Sequence, residues 1–422
     1  MRTYNIRRSL FLFTVVFFFF FVTVPFSRGC TSAVVSGKYT SSGRPLLWKN
    51  RDTKAVNNKV VYFNYGKYPF VGVVNSGDTL NRSVWMGMNS AGFAIINTVS
   101  YNLNLADTGI EQSGHEGMLM KAALAYCGSL EDFEHMLDTM AKPTRMTTNL
   151  GVIDAYGGAA YYELGFFGYT KLDANDPKVA PLGYIVHTNY SFTGEQGVGA
   201  GYIRYTTIER EFRDAALRNE LSARFILQEG SRCLKHSLTG VDLSVPDQED
   251  PAREKMVWFE DFIPRKSSVA AVVIEGVKPG EDPSLTTMWT VMGFPLTSVV
   301  IPVWITPNGR LPSLLQYDSQ LKDSPMCNMA LQLKERCYPV RWGSSARKYI
   351  NIHALVNRDH TGIMQVIRPL EDRIFDATEE QLSLWHKTGI REKEVTGFYS
   401  WVETKILELY GKHFDVRPER QL

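Results

Sequence analysis

Three runs in the second half of the chain do most to limit what it can fold into. SSVAAVVIEGV (267–277), LTTMWTVMG (285–293) and LTSVVIPVWIT (296–306) are apolar almost without interruption. A strand with one wet face alternates apolar and polar residues, so these runs predict strands buried on both faces. Residues 30–99 add shorter β-rich runs between turns, among them TSAVVSG, LLWKN, KVVYFNYG, FVGVVNSGD, SVWMGMN and FAIINTV, which predict a multi-stranded, largely antiparallel start. NLGVIDAYGGAAYYELG (149–165) reads as two strands joined at a tight Gly-Gly turn, and GYIVHTNYS (183–191) as another.

Helical stretches separate and close these runs. One is predicted near Gly117 to Cys127, and a second from Ser129, an N-cap, with Phe133, Met136, Leu137 and Met140 at helical spacing before Pro143. Residues 202–235 suggest one or two helices, 247–255 a surface loop, and 378–414 a long helical close interrupted by Gly389 and Gly397. Strands, helices, strands and helices in that order fit a layered α+β domain with buried sheets and helices outside.

The first 29 residues have the form of a signal peptide: Arg2, Arg7 and Arg8, an apolar run from Leu10 to Val24, then the small residues Ser27 and Gly29 before a cut. The run is short for a membrane span and suits a removable segment. Export to the periplasm or the exterior is the expectation. The leader holds four of the 46 basic and none of the 44 acidic residues, so the mature chain is close to neutral and slightly acidic. That balance gives no reason to expect a nucleic-acid or anionic-membrane partner. Five cysteines remain, Cys30, Cys127, Cys233, Cys327 and Cys337; in an oxidising location four of them allow two bridges, and the other reading is four reduced, buried thiols.

Cys30 stands directly behind the predicted cut. A cysteine at a mature N-terminus joins a nucleophilic thiol to a free α-amine whose reference pKa, about 7.7–8.0, suits a proton acceptor. No histidine is then required, and none of the eight lies in a Cys/His protease signature or in metal-ligand spacing. No metal and no cofactor is expected. The rival fate of Cys30 is lipidation, which would block the amine; Ser27 and Arg28 stand where a lipoprotein signal wants a leucine-like and a small residue.

CTSAVVSG, GRPLLWKNRD, MGMNSAGFAIINTV, NLGVIDAYGGAAYYE and HTNYS, in that order, resemble the N-terminal nucleophile (Ntn) hydrolases of the choloylglycine hydrolase, penicillin V acylase and acyl-CoA:6-aminopenicillanic acid acyltransferase type. The resemblance covers about residues 30–305 and is closest to the acyltransferase-like branch. It implies a four-layer αββα sandwich (the Ntn hydrolase fold) over 30–310, with a mostly helical C-terminal extension, 311–422, packed on the same domain. Carried across residue by residue, it implies Cys30 as nucleophile and, through its amine, base; Asp52 as the carboxylate that holds the amine; Asn97 and Asn189 as the two asparagines of the site; and Arg204 as an arginine near the nucleophile. An amide donor aimed at the oxyanion of a tetrahedral intermediate is typically worth about 10²–10³ in rate.

The family's strand ends G-R-N-x-D, whereas this chain has W-K-N-R-D. Lys49 takes the arginine place and Arg51 is an extra cation, so both are candidates for substrate contact; lysine lacks the planar fork of arginine. Taken singly, Asp52 suits a turn and the asparagines suit capped or solvated positions; their order behind Cys30 is what selects them. The function expected is an exported amidase that cleaves a linear, non-peptide C–N bond of a small-molecule amide through an acyl-thioester. Alternatives are an acyltransferase or dipeptidase of the same class, or a non-catalytic ligand-binding lipoprotein. Phe93, Tyr101 and Phe192 are candidates to receive an acyl or steroid tail, and a homo-oligomer is left open.

Overall fold

The computed structural model describes residues 29–419 apart from 105, 107, 108, 344 and 345. Apart from Gly29, the leader expected over residues 1–29 lies outside the described residues. From Gly29 the chain runs into β1 (Thr31–Val35) and β2 (Leu46–Asp52), an antiparallel pair in which Thr31 faces Asn50 and Ser32 faces Lys49. Every residue of both strands is buried, because their sheet lies in the interior of a layered stack.

The next seven strands form a second sheet in chain order: β3 (Asn58–Phe63), β4 (Phe70–Asn75), β5 (Met86–Asn89), β6 (Ala94–Val99), β7 (Thr148–Ile153), β8 (Ala159–Leu164) and β9 (Tyr169–Asp173), all antiparallel. The first sheet is completed by β10 (Tyr184–His187), β11 (Ser268–Glu275), β12 (Thr287–Met292) and β13 (Val300–Val303), in the spatial order β10-β1-β2-β11-β12-β13. The three apolar runs that open the sequence reading are thus β11, β12 and, within the third, β13. Each pairs antiparallel with its neighbour.

The sheets meet face to face, with β1 and β2 lying across β6, β7 and β8. On the outer side of the seven-stranded sheet pack α1 (Glu116–Tyr126) and α2 (Leu130–Thr139). The Ser129 hydroxyl accepts from the Asp132 N–H at 3.1 Å, a cap worth about 1 kcal/mol, and Phe133 and Leu137 turn into the core. α3 (Tyr202–Leu217) packs on the outer side of the six-stranded sheet, where Phe212 stacks on Trp48. The order is helix, sheet, sheet, helix, the αββα sandwich that the resemblance implies. Burying a large aliphatic side chain contributes about 1.5–3 kcal/mol, and a continuous cluster from Val34 through Val272 to Leu333 supplies many of them.

Past residue 310 come α4 (Pro325–Cys337), α5 (Ile363–Thr388) and α6 (Glu392–Leu409), with α4 against β12 and α5 against β13. The closing helices correct the sequence reading in two places. α5 begins fifteen residues before 378, and Gly397 lies inside α6 rather than breaking it; only Gly389, at φ +74°, ends a helix. An isolated glycine costs a helix about 1 kcal/mol, less than α6 recovers by burying Val395, Tyr399, Val402 and Ile406. The cysteines follow the reduced reading: all five are free and buried, and burial pushes the Cys127, Cys233 and Cys337 thiols up to about 12.

Candidate active site

The pleat of β2 divides its side chains between two environments. Trp48, Asn50 and Asp52 point toward the helical layer: Trp48 donates to Asn50 at 3.3 Å and Asn50 donates to the Ser231 carbonyl at 2.7 Å. Lys49 and Arg51 point between the sheets. Lys49 Nζ reaches across to β6, donating to Asn97 Oδ1 at 2.7 Å and to the Trp85 carbonyl at 3.1 Å. Asn97 Nδ2 in turn donates to Thr148 Oγ1 at 3.3 Å.

Cys30, 7% exposed, leads into β1 beside this strand. Arg204, on the first turn of α3 and fully buried, holds that segment: Nη1 donates to the Cys30 carbonyl at 2.8 Å and to Thr31 Oγ1 at 2.7 Å, and Nη2 to Asn189 Oδ1 at 2.9 Å. Gly201, at φ +90°, caps the helix, and a Cβ there would meet Arg204 Nη2 at 2.4 Å. Asn189 Nδ2 donates to the Val99 carbonyl at 3.0 Å. One N–H of each asparagine amide is thereby committed and the other is left over.

Asp52 is gripped by residues far away in sequence. Arg265 donates to Asp52 Oδ2 through Nε at 3.0 Å and Nη2 at 2.6 Å, and Ser268 donates to Oδ1 at 2.6 Å. The same Nη2 donates to the Gly29 carbonyl at 2.6 Å. Gly29 fits closely into this corner, where an added Cβ would lie 2.2 Å from Arg265 Nη2 and 2.6 Å from Arg204 Nη2.

The site is rich in cations. Burial pulls Lys49 down to about 8, helped by Arg51 and opposed by Cys30, Asp52 and Glu116. Burial and then Arg265 pull Arg204 down to about 9, against Asp52, Cys30 and Asp261. Arg265 moves the other way: burial works against its charge, but Asp52 raises it overall. Burial raises Glu116 at the start of α1. Lys49, Arg204 and Arg265 therefore remain mainly charged at neutral pH, and each is coupled electrostatically to Cys30.

The structure gathers Cys30, Lys49, Asp52, Asn97, Asn189 and Arg204 around one corner of the six-stranded sheet. Arg51 is turned aside: its guanidinium donates to Asn58 at 2.5 Å and Asn75 at 2.7 Å, and lies 4.9 Å over the Trp85 ring. Lys49 rather than Arg51 is thus the cation on Asn97. Phe93 is not at the site; it packs with Phe133 under α2, on the far side of the second sheet. Tyr101 donates its N–H to the Asn189 carbonyl at 3.2 Å, and Phe192, 42% exposed, leans on His187. The sequence reading missed Arg265 and Ser268. Their local signal, a basic and hydroxyl-rich lead into an apolar strand, is common, and only the pairing of β11 beside β2 brings them to Asp52.

The sandwich, with a cysteine leading into its β1 strand, is the arrangement that the sequence resemblance implies. Residues 39–229, a little under half of the chain, match the family model for acyl-coenzyme A:6-aminopenicillanic acid acyl-transferase. The matched span includes Asp52, Asn97, Asn189 and Arg204, begins after Cys30 and ends before Arg265. No curated protein sequence matches the chain. Among solved structures it is similar to a variant of conjugated bile acid hydrolase from Clostridium perfringens, at 11% identity and TM-score 0.41, over 65% of this chain and 92% of that one. It is also similar to the Caenorhabditis elegans ortholog of N-acylethanolamine-hydrolyzing acid amidase, at 12% identity and TM-score 0.36, over 58% and 92%. For penicillin V acylase from Agrobacterium tumefaciens the values are 13% and 0.36, over 66% and 86%.

Proposed function

We propose that this chain is an exported cysteine amidase acting on a linear, non-peptide amide, and that removal of residues 1–29 exposes its nucleophile. The observation that carries the reading is the hold on Cys30: a buried arginine fixes its carbonyl and Asn189 together, while Asp52 lies at the end of the neighbouring strand, bound to the arginine that also binds Gly29. With Gly29 gone, the Cys30 α-amine falls within the reach of that carboxylate corner.

In the reaction the α-amine takes the thiol proton as Sγ attacks the amide carbon. The remaining N–H groups of Asn97 and Asn189 stabilise the oxyanion. The C–N bond then breaks as the amine passes its proton to the leaving nitrogen, and water or an amine acceptor releases the acyl group from sulfur. Lys49 fixes the Asn97 amide by holding its oxygen, so its N–H groups point away from the lysine. Acyl transfer to an amine is the second reading, favoured by the name of the family that residues 39–229 match.

N-terminal sequencing of the exported protein is expected to give Cys30 at the first cycle; a blocked, lipid-modified cysteine defeats the reading. Protein that begins at Cys30 is expected to hydrolyse one or more of a panel of bile-salt, penicillin V, N-acyl amino acid, N-acyl lactone and N-acylethanolamine substrates, and to show an acyl-enzyme by intact mass. Cys30→Ala removes both, a fall of at least about 10³. Hydrolysis that survives Cys30→Ala refutes the mechanism. Added amine acceptors separate transferase from hydrolase by the product formed.

A further inference from the structure

Behind the Asp52–Arg265 pair stands a residue of the helical extension. Lys334, on α4, is 6% exposed. Its Nζ donates to the Lys266 carbonyl at 2.5 Å and lies 4.9 Å from the centre of the Phe294 ring. The acids that act on it, Glu335 and Asp52, do so without a hydrogen bond. Burial and the neighbouring Lys266 pull it down to about 8, against Cys327, Glu335 and Asp52. A buried ammonium lacking a carboxylate partner is costly, and an apolar side chain of similar length would fill the space at less cost. What lysine adds at this place is one donor for one carbonyl and one positive charge behind Asp52.

That carbonyl belongs to the turn that orients Asp52. Within it, the Arg265 N–H donates to Ser268 Oγ and the Ser268 N–H to the Arg265 carbonyl, each at 2.8 Å. The Thr53 N–H donates to the Ser267 carbonyl at 2.9 Å. The Arg265 and Ser268 side chains go to Asp52, while the Lys266 carbonyl is directed to α4. The turn is therefore gripped by β2 and by the extension. Tyr338, just past α4, adds to the second grip: its ring lies 4.5 Å from Lys266 Nζ.

We propose that Lys334 is a positioning residue: through the Lys266 carbonyl it fixes the 265–268 turn, and with it the two side chains that aim the Asp52 carboxylate at the Cys30 amine. The inference rests on the amidase reading and adds that the extension, which lies outside the family match, completes the site rather than covering it.

The test uses protein that begins at Cys30, in wild-type form and as Lys334→Met, Lys334→Gln and Lys334→Arg. The rate of Cys30 alkylation by iodoacetamide is followed by peptide mass spectrometry from pH 5 to 10, a readout that needs no known substrate. The pH profile of kcat/KM is added for any amide that is hydrolysed. A cation near an amine disfavours the ammonium form, so losing it raises the amine's apparent pKa. Lys334→Met is therefore expected to move the lower inflection of both profiles upward by several tenths of a unit and to lower kcat/KM about 10-fold or more, at unchanged or higher Tm. Lys334→Arg, which keeps donor and charge, is expected to restore the inflection. Superimposable profiles for wild type and Lys334→Met overturn the inference, as does a loss of rate that only tracks a loss of Tm. Should Lys334→Met not fold, the same comparison is made with Lys334→Leu, which also removes both donor and charge, and a wild-type inflection there overturns it equally; Lys334→Gln, which keeps a donor, separates the bond from the charge. Failure of the amidase reading looks different: amide hydrolysis then survives Cys30→Ala, whatever stands at 334.

Discussion

Two buried carboxylates in this molecule each bind an arginine through two nitrogens, and they are put to different use. Glu371, on α5, is saturated. Arg232 donates to it through Nη1 and, at 2.7 Å, Nη2, and the Val300 N–H donates to Oε1 at 2.9 Å; two further Arg232 N–H groups go to the Pro295 and Ser298 carbonyls. Every partner is in the scaffold, so the pair ties the extension to β13. Asp52 has a similar environment, but the arginine it binds also holds the Gly29 carbonyl. That bond belongs to a residue the mature enzyme is proposed to lose. A saturated ion pair locks a fold, and one shared with a departing group leaves a place for chemistry.

Removing one partner of the saturated pair is the largest expected effect on stability. Glu371→Gln leaves Arg232 charged and uncompensated, and a denaturant titration is expected to show a loss of about 3–5 kcal/mol. The protein that remains folded should keep its kcat. A variant that keeps its stability and loses its rate would erase the contrast.

Asp52→Asn is expected to show the reverse, a fall in kcat/KM of about 10² or more with a smaller loss of stability: the amide oxygen can still accept from Arg265, which is less deeply buried than Arg232, and the Ser268 hydroxyl can turn to accept from the amide N–H, while the hold on the Cys30 amine is lost. A drop in Tm as large as that of Glu371→Gln would mean that both pairs are scaffold.

The smallest of these effects belongs to Lys49 and carries a sign. Its folded pKa, about 8, lies below its ordinary value of 10.5, so between those values the unfolded chain binds more protons and stability rises with pH. Below about pH 8 the buried charge is a net cost. Lys49→Met is therefore expected to raise stability at pH 7 by about 1–3 kcal/mol while lowering kcat, with the stability gain shrinking toward pH 10.5. Urea titrations of both proteins at pH 7 and 10 check it; a destabilised Lys49→Met would show that the lysine's bonds to Asn97 and Trp85 outweigh its desolvation.

The layered α+β order was legible because its strands announce themselves by composition, whereas the four-layer sandwich came from the family resemblance. β11, β12 and β13 are apolar on both faces, and α2 carries its own cap. Gly397 misled because glycine's local cost was weighed without the packing of the α6 face, which only the folded neighbours supply. For the site, Cys30, Asp52, Asn97, Asn189 and Arg204 were named from a family resemblance, and the fold brings them to one corner of the six-stranded sheet. Phe93 was misplaced, since an aromatic beside a site strand falls on one sheet face or the other according to register.

By itself, the sequence determined which strands are buried on both faces, where a cysteine stands at the head of the first strand, and which side chains β2 can offer. Those are properties of adjacent residues and of a two-residue period. The tertiary structure alone decided that Lys49 faces Asn97 while Arg51 faces Asn58 and Asn75, and that Asp52 is held by Arg265 and Ser268 with Lys334 behind them. The reason is that a hydrogen bond reaches about 3 Å, and it is the pairing of β11 with β2 that brings Arg265 and Ser268, 213 and 216 positions away, within that distance of Asp52, and the docking of α4 that brings Lys334 to Lys266.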